Sequence, residues 1–326
     1  MAMSKLLSAN ALHKLLQSNT AGLRILDCTY NVTAKPDYKE WRKQNFGKFE
    51  ELSQKDSPQK QQYLQSHIPT ARFMDLDVAM YPSKFERLAH YEPEIFQDYM
   101  QLLGIHHDDQ IVLYSRGPMG GMLFSAKCYW LLRSYGHKEV SILDGGLDAW
   151  KKEGFELESK TELEKVEKGN WFARNFRHKL VAFEELTEKD ASGKDIFERA
   201  MDFNILDARF RAQYNNEQDT GLNSFVVPGS FIPGTRNAPV AEFVGKDGKL
   251  VSEDIVREKL AEADFDPEKP TITLCNSGIQ AAFLATIIDN SFPQANIRLF
   301  NGSMKEVEAR APQRINGGIK PVAPSQ

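Results

Sequence analysis

Cysteine is scarce in this chain. Three thiols in 326 residues, Cys28, Cys128 and Cys275, are too few for a dense disulfide framework, and no Cys/His cluster has metal-ligand spacing. A stapled secreted scaffold and a zinc module are thereby disfavoured, and the expected setting is a reducing compartment, cytoplasmic or mitochondrial. No apolar run reaches the eighteen residues or so of a membrane span. Positive charge is not in excess: 41 basic against 45 acidic side chains give a formal net charge of −4. No bulk field then draws the chain to nucleic acid or an anionic membrane, so its expected partners are small molecules or proteins.

The N-terminus is the one stretch short of acid. Lys5, His13, Lys14 and Arg24 all precede Asp27, a balance like that of a mitochondrial presequence. However, Leu6, Leu7, Leu12, Leu15 and Leu16 fit an amphipathic helix leading into a strand at Leu23 to Leu26, which assigns them to the first domain.

What the chain does contain is a long internal repeat. Arg24-Ile25-Leu26-Asp27-Cys28 is answered by Asn204-Ile205-Leu206-Asp207-Ala208, and His67-Ile68-Pro69-Thr70-Ala71-Arg72 by Phe231-Ile232-Pro233-Gly234-Thr235-Arg236. Ile111 to Ser115 is answered by Thr271 to Cys275, and Val140 to Gly146 by Ile297 to Ser303. The shared order indicates two copies of one domain. Short apolar strands alternate with helical stretches at Phe96 to Leu103, Ala126 to Ser134 and Ile255 to Ala263. That alternation predicts an α/β fold in which each copy is a parallel sheet with helices on both faces. The expected domains are 1–154 and 180–326. Residues 155–179 then form a packed linker, with Trp171 and Phe172 as its anchors.

One cysteine stands at a strand-to-helix turn. Ile272, Thr273 and Leu274 end an apolar strand, Ala281 to Ile288 read as a helix, and Cys275-Asn276-Ser277-Gly278 joins them. Inward-facing N–H groups and the positive end of a helix make such a turn a seat for an anion. A free thiol titrates near about 8.5, and a helix N-terminus lowers that value, so nucleophilic sulfur is one reading. An inert core cysteine is the other, because cysteine is among the most buried residue types. The first copy has Ser115 at this position, followed by the divergent Arg116-Gly117-Pro118-Met119-Gly120-Gly121. Cys28 and Cys128 lack such a loop and read as core.

These landmarks resemble the rhodanese family, and in particular its tandem-domain sulfurtransferases. The resemblance rests on the Ile-Leu-Asp start of each copy, His67-Ile68-Pro69, Tyr135-Gly136-His137, Asp144-Gly145-Gly146-Leu147 through Trp150, and the Cys275 loop. It implies two tandem rhodanese-like domains, the first non-catalytic. It also implies transfer of a sulfane sulfur from a donor to a thiol or other nucleophile through a Cys275 persulfide, held by backbone N–H groups of Asn276, Gly278, Ile279 and Gln280. No metal or organic cofactor is called for, and thioredoxin or glutathione is the type of acceptor expected. Thiosulfate-selective members resemble Cys-Arg-Lys-Gly at the loop, and mercaptopyruvate enzymes Cys-Gly-Ser-Gly. Cys275-Asn276-Ser277-Gly278 keeps the serine and lacks both cations, which favours 3-mercaptopyruvate over thiosulfate. The resemblance further assigns Ser277, His67 and Asp56 to a relay beside the cysteine.

The chain departs from the family at the substrate-clamping arginines. Gln213 occupies the first such position and Leu222 the second, which leaves two readings of an active site: Arg211 or Arg236 supplies the lost cation from a nearby backbone position, or the donor is less anionic or is another persulfide. Arg209 reads as a structural salt-bridge partner, to Asp207 or to a neighbouring loop. A cysteine-dependent phosphatase would need an arginine six residues after the cysteine, where Ala281 stands. A catalytically weakened binding or regulatory protein is the alternative from a different class.

Overall fold

The computed structural model describes residues 4–174 and 177–316. They divide into two compact units. The first comprises residues 4–84, 88–174 and 244–250, and the second residues 85–87, 177–243 and 251–316. The stretch expected as a linker is shared, its residues to 174 lying in the first unit and those from 177 in the second. Trp171 is fully buried and donates from Nε1 to His137 Nδ1 at 3.0 Å, whereas Phe172 is exposed and anchors nothing in the core.

Each unit is built on one parallel sheet. The first holds β1 (Leu6–Leu7), β2 (Leu23–Asp27), β3 (Arg72–Phe73), β4 (Gln110–Tyr114) and β5 (Val140–Leu143), in the order β1-β5-β4-β2-β3. The second holds β6 (Asn204–Asp207), β7 (Arg236–Asn237), β8 (Thr271–Leu274) and β9 (Ile297–Leu299), in the order β7-β6-β8-β9. The repeat seen in the sequence is a repeat of register. Leu26 lies opposite Leu113 and Arg72, and Leu206 lies opposite Thr273 and Arg236. Even the extra edge strand β1 has a remnant, since Leu180 bridges to Leu299 in parallel.

Parallel neighbours cannot be joined by hairpins, so helices must cross over and cover the sheet, which buries both strand faces. Successive residues then face opposite layers. Ile205, Ile272 and Leu274 enter one core with Phe183, Phe300 and Met304. Ile25, Val112, Tyr114 and Leu143 do the same in the first unit with Tyr63, Leu147 and Trp150. Full burial of each such side chain stabilises by roughly 1.5–3 kcal/mol, so the short strands are held by their packing more than by their ladders. The helices Leu123–Ser134 and Ile279–Ser291 are buried almost throughout, which is why both read as apolar on every side.

The N-terminal helix is shorter than its leucine pattern predicts. Leu6 and Leu7 are strand β1, paired with Ile142 and Leu143, and the helix runs over Ala9–Gln17. Ser8 breaks the run: its side chain accepts from Ala11 N–H and caps the helix.

Candidate active site

Strand β8 ends at Leu274, and only residues 276–278 separate Cys275 from the helix Ile279–Ser291. The carbonyls of this tight loop are taken from one side. Met304 N–H donates to Cys275 O at 2.9 Å and Lys305 N–H to Asn276 O at 3.0 Å, both from the first turn of the helix Ser303–Arg310. Those donors have no acceptor inside their own helix, so the loop satisfies them and is oriented by them. Gly278 N–H donates to Cys275 Sγ at 3.1 Å, and the first N–H groups of the helix Ile279–Ser291 lie next in the chain.

Two residues set this geometry. Gly278 has φ +78°, and a Cβ there would stand 2.5 Å from Asn301 O, so both handedness and space require glycine. Ser303 has φ +51°, unusual for a residue with a side chain. Its Oγ accepts from Cys275 N–H at 3.1 Å and donates to Phe300 O at 2.8 Å. The first unit has Gly146 at the matching place with φ +55°, and Leu147 N–H there donates to Ser115 O. Ser303 therefore holds a glycine-like conformation and adds an anchor under the cysteine. Sequence comparison of the two copies places Ser303 against Gly146, but its task is visible only in three dimensions.

Cys275 is 2% exposed. Asn276 and Ser277 are half-buried, as is Gln280, while Gly278 and Ile279 are buried. Asn276 Oδ1 is buried with no hydrogen-bond partner among the described residues. The Ser277 hydroxyl likewise makes no hydrogen bond within the described residues, and it stands two positions from the sulfur.

The first unit shows what the same turn becomes without a thiol. Ser115 is buried, its hydroxyl donating to Gly121 O at 2.6 Å and accepting from Ser125 N–H at 3.2 Å. Seven residues, 116–122, lie between it and the helix Leu123–Ser134. The hydroxyl closes the longer loop on itself.

The arginines of the second unit have identifiable duties. Arg209 is fully buried, with Nη2 2.6 Å from Asp207 Oδ2 and bonded to Ser230 O. Arg236 donates to the carbonyls of Asp264 and Phe203 and to Asn204 Oδ1, at the start of β6 and not at its C-terminal end. Arg72 does the equivalent in the first unit, on Leu103 O and Gly104 O. Arg236 is thus engaged by main-chain carbonyls and Asn204, away from the C-terminal end of the sheet where Cys275 follows β8. Arg211 is exposed and forms a fork with Glu242 at 3.0–3.2 Å. Gln213 donates to Asp219 O at 3.1 Å, and Leu222 packs against the core of the unit.

In the first unit the geometry gives His67 and Asp56 separate tasks. His67 is fully buried, stacked 4.3 Å from Tyr63, with Nδ1 2.8 Å from Tyr63 O. The carboxylate beside its Nε2 is Glu158, at 3.7 Å, and burial pushes the imidazole pKa down. Asp56 is exposed and accepts from Gln61 Nε2 at 2.6 Å. Phe231, the counterpart of His67, stacks on Tyr214 in the same way, and Tyr63 and Tyr214 each donate to the carbonyl of the matching residue, Ala71 or Thr235. Both positions also bridge to a later segment, His67 to Glu158 and Phe231 to Asn316.

Among the described residues no group of three or more His, Cys, Asp or Glu is placed to hold a metal, and no helix is long and apolar enough to cross a membrane.

Residues 8–153 match the rhodanese-like domain. The putative thiosulfate sulfurtransferase mpst-1 of Caenorhabditis elegans is 40% identical over 324 residues, 98% of each chain. The chain belongs to the rhodanese sulfurtransferase family. The 3-mercaptopyruvate sulfurtransferase of Escherichia coli is 31% identical over 265 residues, 79% of this chain and 86% of that protein. The crystal structure of Tum1 from Saccharomyces cerevisiae superposes with a TM-score of 0.75 at 21% identity, over 98% of this chain and all of that one, which shows the tandem rhodanese fold. The family match falls on the first rhodanese unit, and the shared strand register carries the same architecture to the second, where the cysteine sits.

Proposed function

We propose that the protein takes the thiol sulfur of 3-mercaptopyruvate, in preference to the sulfane sulfur of thiosulfate, and passes it to a thiol through a persulfide on Cys275. The observation that carries this reading is the Gly278 N–H on Cys275 Sγ, in a loop whose carbonyls are turned away by the helix Ser303–Arg310. The Cys275 thiolate attacks the donor sulfur, and the donor C–S bond breaks. Its electron pair stays on carbon, which takes up a proton to give pyruvate, and Cys275 is left as the persulfide. An acceptor thiolate then attacks the outer sulfur, and Cys275 leaves as thiolate. Backbone donors stabilise sulfur anions without themselves titrating, so they serve both half-reactions. Acceptors of the thioredoxin or glutathione type fit this chemistry.

The donor preference rests on Ser277, whose free hydroxyl is suited to a ketone oxygen, and on the lack of Arg or Lys at positions 276 and 277. His67 and Asp56 are assigned to the scaffold of the first unit. A weakened, non-catalytic protein is the competing reading, favoured by Gln213 and Leu222 being engaged within their own unit.

Intact mass after incubation of reduced protein with each donor separates the two. A gain of one sulfur, absent in Cys275→Ser, supports transfer; no adduct with either donor on folded protein refutes it.

A further inference from the structure

Anionic donors need a cation, and the second unit does not supply one where the family has it. Arg209 is sealed on Asp207, Arg211 is paired with Glu242 and Arg236 is bound to main-chain carbonyls. The loop that carries Gln213 and Leu222 instead brings Asp219 toward the site: its carboxylate accepts from Gly221 N–H, and a Cβ on Gly221 would stand 3.0 Å from Asn276 Nδ2.

One cation is tied to the cysteine loop by its own backbone. Lys305 N–H donates to Asn276 O at 3.0 Å, which fixes its Cα beside the residue next to Cys275. The side chain is 41% exposed, and Nζ lies 2.9 Å from Glu308 Oε2, one turn on along the same face of the helix. The other oxygen of Glu308 accepts from Asn223 N–H, so this face of the helix looks onto the segment that contains Leu222. The backbone of Lys305 thus lies against the cysteine loop, and its ammonium, held by Glu308, lies on the helix face that meets the Asn223 segment. The ammonium has three donors, of which Glu308 uses one.

We propose that Lys305 is the specificity-determining cation of this enzyme, receiving the carboxylate of an α-keto thiol donor in place of the absent arginine pair. The assignment rests on the sulfur-transfer reading given above. A lysine is a point charge on a flexible stem and not a fork, so it attracts a carboxylate without fixing its orientation. Glu308 holds the ammonium at the rim until a donor carboxylate competes for it.

The test compares two donors that share a thiol beside a ketone and differ in one carboxylate, 3-mercaptopyruvate and 1-mercaptopropan-2-one. Lys305→Met is expected to raise KM for mercaptopyruvate by roughly tenfold or more, the range of a lost charge-assisted hydrogen bond, with kcat little changed. With mercaptopropanone KM should move less than about twofold, because the interaction removed has no partner on that donor. Lys305→Arg should restore most of the loss. Glu308→Gln keeps an acceptor for Asn223 N–H and removes the competing charge, so it should lower KM for mercaptopyruvate. Equal changes with both donors, or no change with mercaptopyruvate, overturn the assignment to Lys305. Intact mass of the wild-type protein separates that failure from a deeper one. Persulfide on wild-type Cys275 together with a mercaptopyruvate KM that Lys305→Met leaves unchanged refutes this assignment alone, whereas no persulfide with either donor refutes sulfur transfer itself.

Discussion

Ser303 should separate stability from chemistry. Its φ of +51° costs a residue with a side chain roughly 1–2 kcal/mol, and its hydroxyl holds Cys275 N–H at 3.1 Å in a buried setting. Ser303→Ala keeps the strain and orphans Cys275 N–H, so a loss of about 1–3 kcal/mol is expected. Ser303→Gly orphans the same group but relieves the strain, leaving it about 1 kcal/mol more stable than the alanine variant and close to wild type. Both variants lose the anchor under the nucleophile. A misplaced reacting group slows an oriented reaction steeply, so the rate of Cys275 persulfide formation should fall about 10–100-fold in both. Urea unfolding gives the stability order, and rapid-quench mass spectrometry with 3-mercaptopyruvate in single turnover gives the rate. A glycine variant as fast as wild type would falsify the anchoring role, because Gly146 already shows that glycine accepts this backbone.

Three further outcomes are expected. Asp207→Ala leaves the Arg209 guanidinium buried and unpaired, a loss of about 3–5 kcal/mol, whereas Asp207→Ala with Arg209→Met should recover most of it; urea midpoints showing the double variant no better than the single would count against this. Burial, and after it the neighbouring Asp77 carboxylate, push Asp75 up to about 6, so the folded state holds its proton more tightly than the unfolded chain. Stability from this group is full below pH ~4 and declines as pH rises toward ~6; Asp75→Asn, which keeps a side-chain oxygen to accept Asp77 N–H at the start of the helix Leu76–Ala79, should gain on the order of 2–3 kcal/mol at pH 7 and nothing at pH 4. Parallel pH profiles of the two proteins would rule this out. His67→Phe copies the stacking of Phe231 and should preserve both fold and turnover with mercaptopyruvate, and a large fall in kcat in the folded variant would return His67 to the relay.

The strands and the repeat were legible because a parallel sheet buries both faces and leaves continuous apolar runs with few alternatives. Leu206 and Leu26 even share register as their sequences share letters. The strand-to-helix turn at Cys275 was legible for a related reason, since an apolar run that ends four residues before a helical pattern leaves room only for a tight loop. Ser303 was hidden because its role lies in φ and in one hydroxyl reaching across 28 residues of sequence. The arginines' partners were hidden for a similar reason: a guanidinium is engaged by whichever carboxylates and carbonyls surround it, and the sequence does not show that Glu242 and Asp264 lie within reach of Arg211 and Arg236.

The buried aspartate that ends β2 in one unit and β6 in the other has a consequence for converting one unit into the other. In the second unit Asp207 is neutralised by Arg209, two residues along; in the first, Asp27 meets Arg116 at 3.1 Å, and both arginines also reach the matching carbonyl, Ser66 or Ser230. The arginine of the first unit is therefore delivered by the very loop that stands where the cysteine loop would be. A thiol placed at Ser115 would inherit a turn locked to the strand by its own charge. Grafting the shorter loop would strip Asp27 of its counterion unless Thr29 were changed to arginine at the same time. The minimal transplant unit for this chemistry is thus a loop together with one distant side chain, and a second sulfur-carrying centre is not one mutation away.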